Sequence, residues 1–217
     1  MKKIVLVFVT AFALMFAPPL AASAATGGSN DYSTLAAQWW TWALTQPKSS
    51  NPLLDTTGAL CANQQSGKMW FLGGAFNSTA PVTRSCTIPA GTSLYFPLVN
   101  AVDVEYAHDN VPAKTVRSYT AFVQDSASNL YATLDGQNLS SNAIQFEHSD
   151  LFSFNMPTDN VFGAPAGYMS PCADSGYYAL LKGLSAGSHI LKFGGTLAQP
   201  DGTVFTETVT YSLTVSG

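Results

Sequence analysis

Charge is what this sequence has least of. Nine Lys and Arg and thirteen Asp and Glu make up 10% of its 217 residues, against about 25% in an average globular chain. That scarcity excludes long charged helices and coiled coils. Nine basic residues cannot line a groove for a polyanion, so nucleic acid is excluded as a partner. Phosphate-loop, dinucleotide and zinc-finger patterns are missing as well. After Ala17 no apolar run is long enough to cross a bilayer as a helix. There is no internal repeat and no linker composition.

What is present is apolar and aromatic. Hydrophobic residues make up 47% of the chain and aromatics 12%, a composition that excludes disorder. Lys2 and Lys3 precede an almost wholly apolar run from Ile4 to Ala17, and Pro18 and Pro19 break it. Ala22-Ser23-Ala24 follows as a small-x-small cleavage site. Residues 1–24 therefore read as a secretory signal peptide, and residues 25–217 as one secreted domain, periplasmic or extracellular. Cleavage removes two lysines and leaves a chain more acidic than the −4 of the whole.

Cys61, Cys86 and Cys172 then face an oxidising compartment. Three pairings are open. Cys61–Cys86 is the first choice, because each flanks an expected strand. Cys172 lies in the turn-like stretch Ser170-Pro171-Cys172-Ala173-Asp174. It is either buried or paired with another chain.

Periodicity predicts two helices. In 31–46, Leu35, Trp39 and Trp42 recur at helical spacing and Pro47 stops the run. In 111–124, Pro112 suits a first turn. Short strands are expected at 69–72, 83–88, 92–99, 129–134, 143–148, 151–155, 177–182, 189–194 and 204–215. The last alternates almost strictly, the mark of a half-buried antiparallel strand. Scattered Gly and Pro make 157–174 a long loop. The fold class that follows is mainly β: an antiparallel β-sandwich, immunoglobulin-like or jelly-roll-like, with two accessory α-helices.

Three stretches carry a resemblance. They are Gln38-Trp39-Trp40-Thr41-Trp42, then Arg84 to Gly91 with Phe96-Pro97-Leu98, then Gly187-Ser188-His189 with Phe193-Gly194. Together they resemble a family of exported bacterial proteins that has no assigned activity. The resemblance implies a small secreted domain and supplies no ligand or catalytic residue. The last two strands are also similar to the closing hairpin of immunoglobulin-like sandwiches.

Four groups of residues bear on chemistry. Trp39 and Trp40, with Tyr168, offer flat π-faces on which a sugar ring stacks. The same indoles equally suit docking a helix onto a sheet. Asp103, Glu105, His108 and Asp109 concentrate carboxylates and an imidazole, which fits a divalent metal or, as Asp103, Glu105 and His108, a hydrolytic set. Their spacing matches no established metal loop, and no other cofactor is expected. Glu147-His148-Ser149-Asp150 reads as a tight turn between strands, or as a carboxylate partner for Asp103 or Glu105. Gly183-Leu184-Ser185-Ala186-Gly187 fits the nucleophile-elbow pattern G-x-S-x-G. That elbow needs a strand followed by a helix. Strands are expected on both sides here, so a hairpin turn explains the glycines.

The function that follows is a secreted binding or structural module of the cell surface or matrix, taking an extracellular glycan or protein. The alternative is an extracellular hydrolase built on Asp103, Glu105 and His108, metal-assisted or not.

Overall fold

The computed structural model describes residues 31–76 and 78–216. The expected signal peptide lies outside the described residues. Helix α1 spans Tyr32–Thr45 and α2 spans Ala113–Thr120, followed by one turn, α3, at Val123–Ser126. Ten strands are described. They are β1 (Met69–Phe71), β2 (Val82–Pro89), β3 (Ser93–Tyr106), β4 (Ala127–Leu134), β5 (Gln137–Asn138), β6 (Ile144–His148), β7 (Phe152–Met156), β8 (Gly167–Leu181), β9 (Gly187–Ala198) and β10 (Val204–Ser216). The chain is mainly β, as expected.

The strands form two five-stranded sheets. The first has the order β1-β3-β8-β6, with β7 following β6 along the same edge of β8. The second has the order β2-β10-β9-β4-β5. Most pairings are antiparallel, but β1 runs parallel to β3 and β2 parallel to β10. The expected antiparallel sandwich thus carries one parallel pairing at an edge of each sheet.

Three layers result. Leu94, Phe96 and Leu98 of the first sheet meet Leu191, Phe193, Val209, Tyr211 and Leu213 of the second in one buried cluster. Phe96 and Phe193 bring their rings to 4.5 Å across that interface. On the other face of the first sheet, Tyr95, Tyr178 and Leu180 pack against Leu35, Trp39 and Trp42 of α1. The first sheet is thus covered on both sides, and β3 and β8 are buried in continuous runs. The second sheet has one wet face, and β2 alternates buried and exposed along its length.

Position in these layers explains where the sequence misled. Strand β8 begins at Gly167, inside the expected 157–174 loop, because its Pro and Gly lie in a sheet covered on both faces. Strand β3 continues seven residues past the expected end at Val99, through Asp103 and Glu105 to Tyr106. The 111–124 helix is interrupted at Ala121 and Phe122. Residues 177–182 and 189–194 are not a hairpin: β8 and β9 lie in different sheets, and 182–186 crosses between them. Glu147 and His148 close β6, and the chain resumes along the same edge as β7. That interruption, not a hairpin turn, holds Ser149, whose hydroxyl accepts from Asp174 N at 2.9 Å.

The irregular stretch between α1 and β1 is held by side chains. Cys61 and Cys86 are bonded, as expected. Arg84, 2% exposed, donates to the carbonyls of Leu53, Asp55, Gly73 and Gly74. Asn51 donates to Ala43 O at 2.8 Å and caps the end of α1. Satisfying these buried carbonyls is what lets a segment without regular structure pack against the sheets.

Candidate functional site

Helix α1 starts at Asp31, whose carboxylate accepts from Ser33 N at 3.1 Å. Its apolar residues run around most of its circumference, and Trp39 and Trp40 are 2% and 4% exposed. They are core residues, which corrects their reading as a ligand platform. Their rings meet edge to face at 4.8 Å, a geometry that presents no common flat surface. The Trp39 N–H donates to Leu72 O and the Trp42 N–H to Asn63 O, each at 2.9 Å. Tyr168 is exposed, on β8, and its hydroxyl donates to Ser153 at 2.9 Å. The structure does not bring Tyr168 together with Trp39 or Trp40 in a binding face.

One polar stripe interrupts the apolar surface of α1. Gln38, Thr41 and Thr45 recur at i, i+3 and i+7 and so share a face. Opposite them stand Gln64, Gln65 and Ser66, with Trp42, Met69 and Phe71 forming the base of a cleft of about 350 Å³. None of these nine lining residues is ionisable at neutral pH. The Trp42 and Phe71 rings are 5.8 Å apart and tilted by 46°. Gln64 takes a left-handed conformation at φ 51°. The Gln65 amide donates to Phe71 O at 2.7 Å and accepts from Phe71 N at 3.0 Å, so it copies a strand partner and fixes the far wall. Gln38 and Gln64 are exposed. The i, i+3, i+7 polar stripe on an otherwise buried helix was the sequence signal for this cleft. Its second wall, from the 64–66 turn, left none.

The Asp103 cluster does not assemble as expected. Asp103 is 3% exposed, and burial followed by the charge of Glu105 raises its carboxyl to about 7. Its Oδ2 is buried without a hydrogen-bond partner. Glu105, raised first by burial and then by Asp109, stands where the β3–β8 register shifts between Val104 and Tyr106. His108 lies beyond the strand with its side chain 78% exposed, 3.5 Å from Asp109. Among the described residues no three His, Cys, Asp or Glu side chains are arranged to hold a metal ion. The four candidate ligands Asp103, Glu105, His108 and Asp109 are corrected accordingly.

Cys172 pairs with Val104 in the β3–β8 ladder and is fully buried. Burial, with Asp103 and Glu105 nearby, pushes its thiol up to about 12. It is a free thiol within the core, with no exposed surface. Next to it, Asp174 is buried, raised by desolvation to about 8, and accepts from the Tyr178 hydroxyl at 2.9 Å.

At the opposite end of the fold, a serine and a histidine that the sequence set aside are in contact. His189 Nε2 lies 3.3 Å from Ser185 Oγ, and His189 Nδ1 lies 2.7 Å from Asp135 Oδ2. The four-residue separation works because 182–186 crosses between sheets and curls back over the start of β9.

No helix among the described residues is long and apolar enough to cross a membrane. No protein-family model and no curated protein matches the chain. Among solved structures, one titled "Solution Structure of Amebosin" is similar at 10% identity, over 68% of this chain and 99% of that one. Its TM-score is 0.21, too loose a likeness to bear on fold or function.

Proposed function

We propose that the protein is an exported binding module that takes an uncharged glycan in the cleft between α1 and the 64–71 segment. The observation that carries this reading is the lining itself. Amides and hydroxyls of Gln38, Thr41, Thr45, Gln64 and Ser66 surround the edges of Trp42 and Phe71, with no ionisable group among them. Sugars present hydroxyls to such groups and C–H faces to such rings. A volume of about 350 Å³ sits at the small end of ligand sites, the size of one or two sugar rings. The disulfide and the amino-terminal export pattern support action outside the cytoplasm.

Titration calorimetry against soluble neutral and acidic oligosaccharides tests the reading. Saturable binding of a neutral sugar is expected. Gln38→Ala and Gln64→Ala each remove a hydrogen-bonding arm worth about 1 kcal/mol, so each weakens it roughly fivefold. If no neutral glycan binds, or if both variants bind as tightly as the parent, the cleft is not the site.

A further inference from the structure

We propose that Asp135, His189 and Ser185 form an acyl-transfer triad at the exposed turns of the second sheet, acting on unhindered carboxylic esters such as acetyl esters. The proposal is independent of glycan binding, since none of the three residues lines the cleft.

The order of assembly is legible in the contacts. Asp135 takes a left-handed conformation, φ 51°, in the tight turn with Gly136 that joins β4 to β5. Its Oδ1 accepts from Ile190 N at 2.7 Å, which fixes the carboxylate, and its Oδ2 then meets His189 Nδ1 at 2.7 Å. A carboxylate only accepts, so Nδ1 must carry a proton. In the neutral ring Nε2 is therefore the lone-pair nitrogen, and it faces Ser185 Oγ at 3.3 Å. That is the tautomer a general base requires.

Nε2 also lies 3.0 Å from the carbonyl oxygen of Ser185. The two contacts belong to two protonation states. The imidazolium donates to the carbonyl, whereas the neutral ring accepts from the hydroxyl. Asp135 is the charged group acting on His189 and, with the Ser185 carbonyl, holds its pKa above the ordinary value.

The serine is placed for access. Ser185 is exposed on the crossover loop, between Gly183 and Gly187, which adopt φ of 70° and 125° and have open space around them. Leu184 packs on the core between the sheets and anchors the loop. No hydrogen bond within the described residues engages the amide N–H groups of Leu184, Ser185 or Ala186. These are the donors available to a developing oxyanion.

The chemistry balances without a cofactor. Ser185 Oγ attacks the ester carbonyl carbon as its proton passes to His189 Nε2. The carbon–oxygen bond to the alcohol breaks, and the imidazolium gives that proton to the departing alcohol. Water then attacks the acyl-serine as His189 takes its proton. The serine oxygen leaves and is reprotonated by His189, releasing a carboxylic acid.

The test uses the purified, disulfide-bonded protein with p-nitrophenyl acetate as substrate and a fluorophosphonate as covalent probe. A fluorophosphonate adduct at Ser185, located by peptide mass spectrometry, is expected. Ser185→Ala and His189→Gln should each lower ester turnover by about 100-fold. Asp135→Asn, which keeps the turn, should lower it as well. Parent turnover should rise with pH as His189 loses its proton. Absence of the adduct, or turnover unchanged in Ser185→Ala, overturns the proposal. A lowered melting temperature in His189→Gln with ester turnover unchanged would also overturn it, and would make the contact a clip for the loop.

Discussion

Arg84 and Tyr211 sit opposite each other in the parallel β2–β10 ladder, and the guanidinium both donates to the Tyr211 hydroxyl at 3.1 Å and stands 5.6 Å from the centre of its ring. The same guanidinium gathers carbonyls from Leu53, Gly73 and Gly74. One buried cation thus joins the edge of the second sheet to the irregular segment that follows α1. Removing it strands several buried carbonyls at once. Arg84→Ala should destabilise the protein by about 3–5 kcal/mol, and Arg84→Lys should not restore it, because a lysine lacks the planar fork. Urea unfolding of the three proteins checks this. A loss below about 1 kcal/mol in Arg84→Ala would show that the segment is held by other contacts.

Stability should fall as pH rises from about 4 to about 8. Burial raises the carboxyls of Glu207 and Asp174 to about 8 and that of Asp103 to about 7. Each folded pKa lies above its unfolded value, so the folded state holds protons that the unfolded chain releases. The stabilising protonation is complete below about pH 4 and is lost as pH passes through 7 to 8, by up to about 1.4 kcal/mol per unit and per group. Asp55, Asp135 and Asp159 have lowered pKa values and act oppositely, their contribution fading as pH drops below 4. Calorimetric melting between about pH 3 and 9 should show a maximum near about pH 4. Glu207→Gln and Asp174→Asn should flatten the alkaline limb, and an unchanged limb in both would sink this account.

The three cysteines should behave as one bridge and one silent thiol. In the native state a thiol reagent should find no reactive cysteine, and in denaturant one. Reducing Cys61–Cys86, which closes a separation of 25 residues, should lower stability by about 3 kcal/mol. Rapid labelling of Cys172 in the folded protein would contradict its complete burial.

The aromatic residues divide sharply. Trp39→Ala empties the space between α1 and the first sheet and frees Leu72 O, and should destabilise by about 3–5 kcal/mol. Tyr168→Ala acts on an exposed ring and should change stability by less than about 0.5 kcal/mol. Thermal unfolding separates the two, and comparable losses would remove the distinction between core and surface drawn for them.

How much the residues announced depended on how local the determining contacts were. Alternation in β10 was readable because its second face meets water, and α1 was readable because Pro47 and the Trp spacing bound it. Strands β3 and β8 were cut short because Asp103, Glu105, Pro171 and Asp174 carry loop signals. A sheet covered on both faces overrides such signals through long-range pairing. The pairing of Cys61 with Cys86 followed from neighbouring strands, while the burial of Trp40 depended on a sheet drawn from distant segments. Asp135 stands 54 residues from His189, and nothing local to either residue marks the contact.

Strand β10 lies between β2 and β9, although both are made before it. Until residues 204–216 are in place, the second sheet has a gap beside its edge strand β2, and β2 has no ladder partner. The core between the sheets lacks Val209, Tyr211 and Leu213 for the same interval. Closing this sheet therefore waits on a strand that lies far along the chain from β2. The slow step is pairing across a long separation.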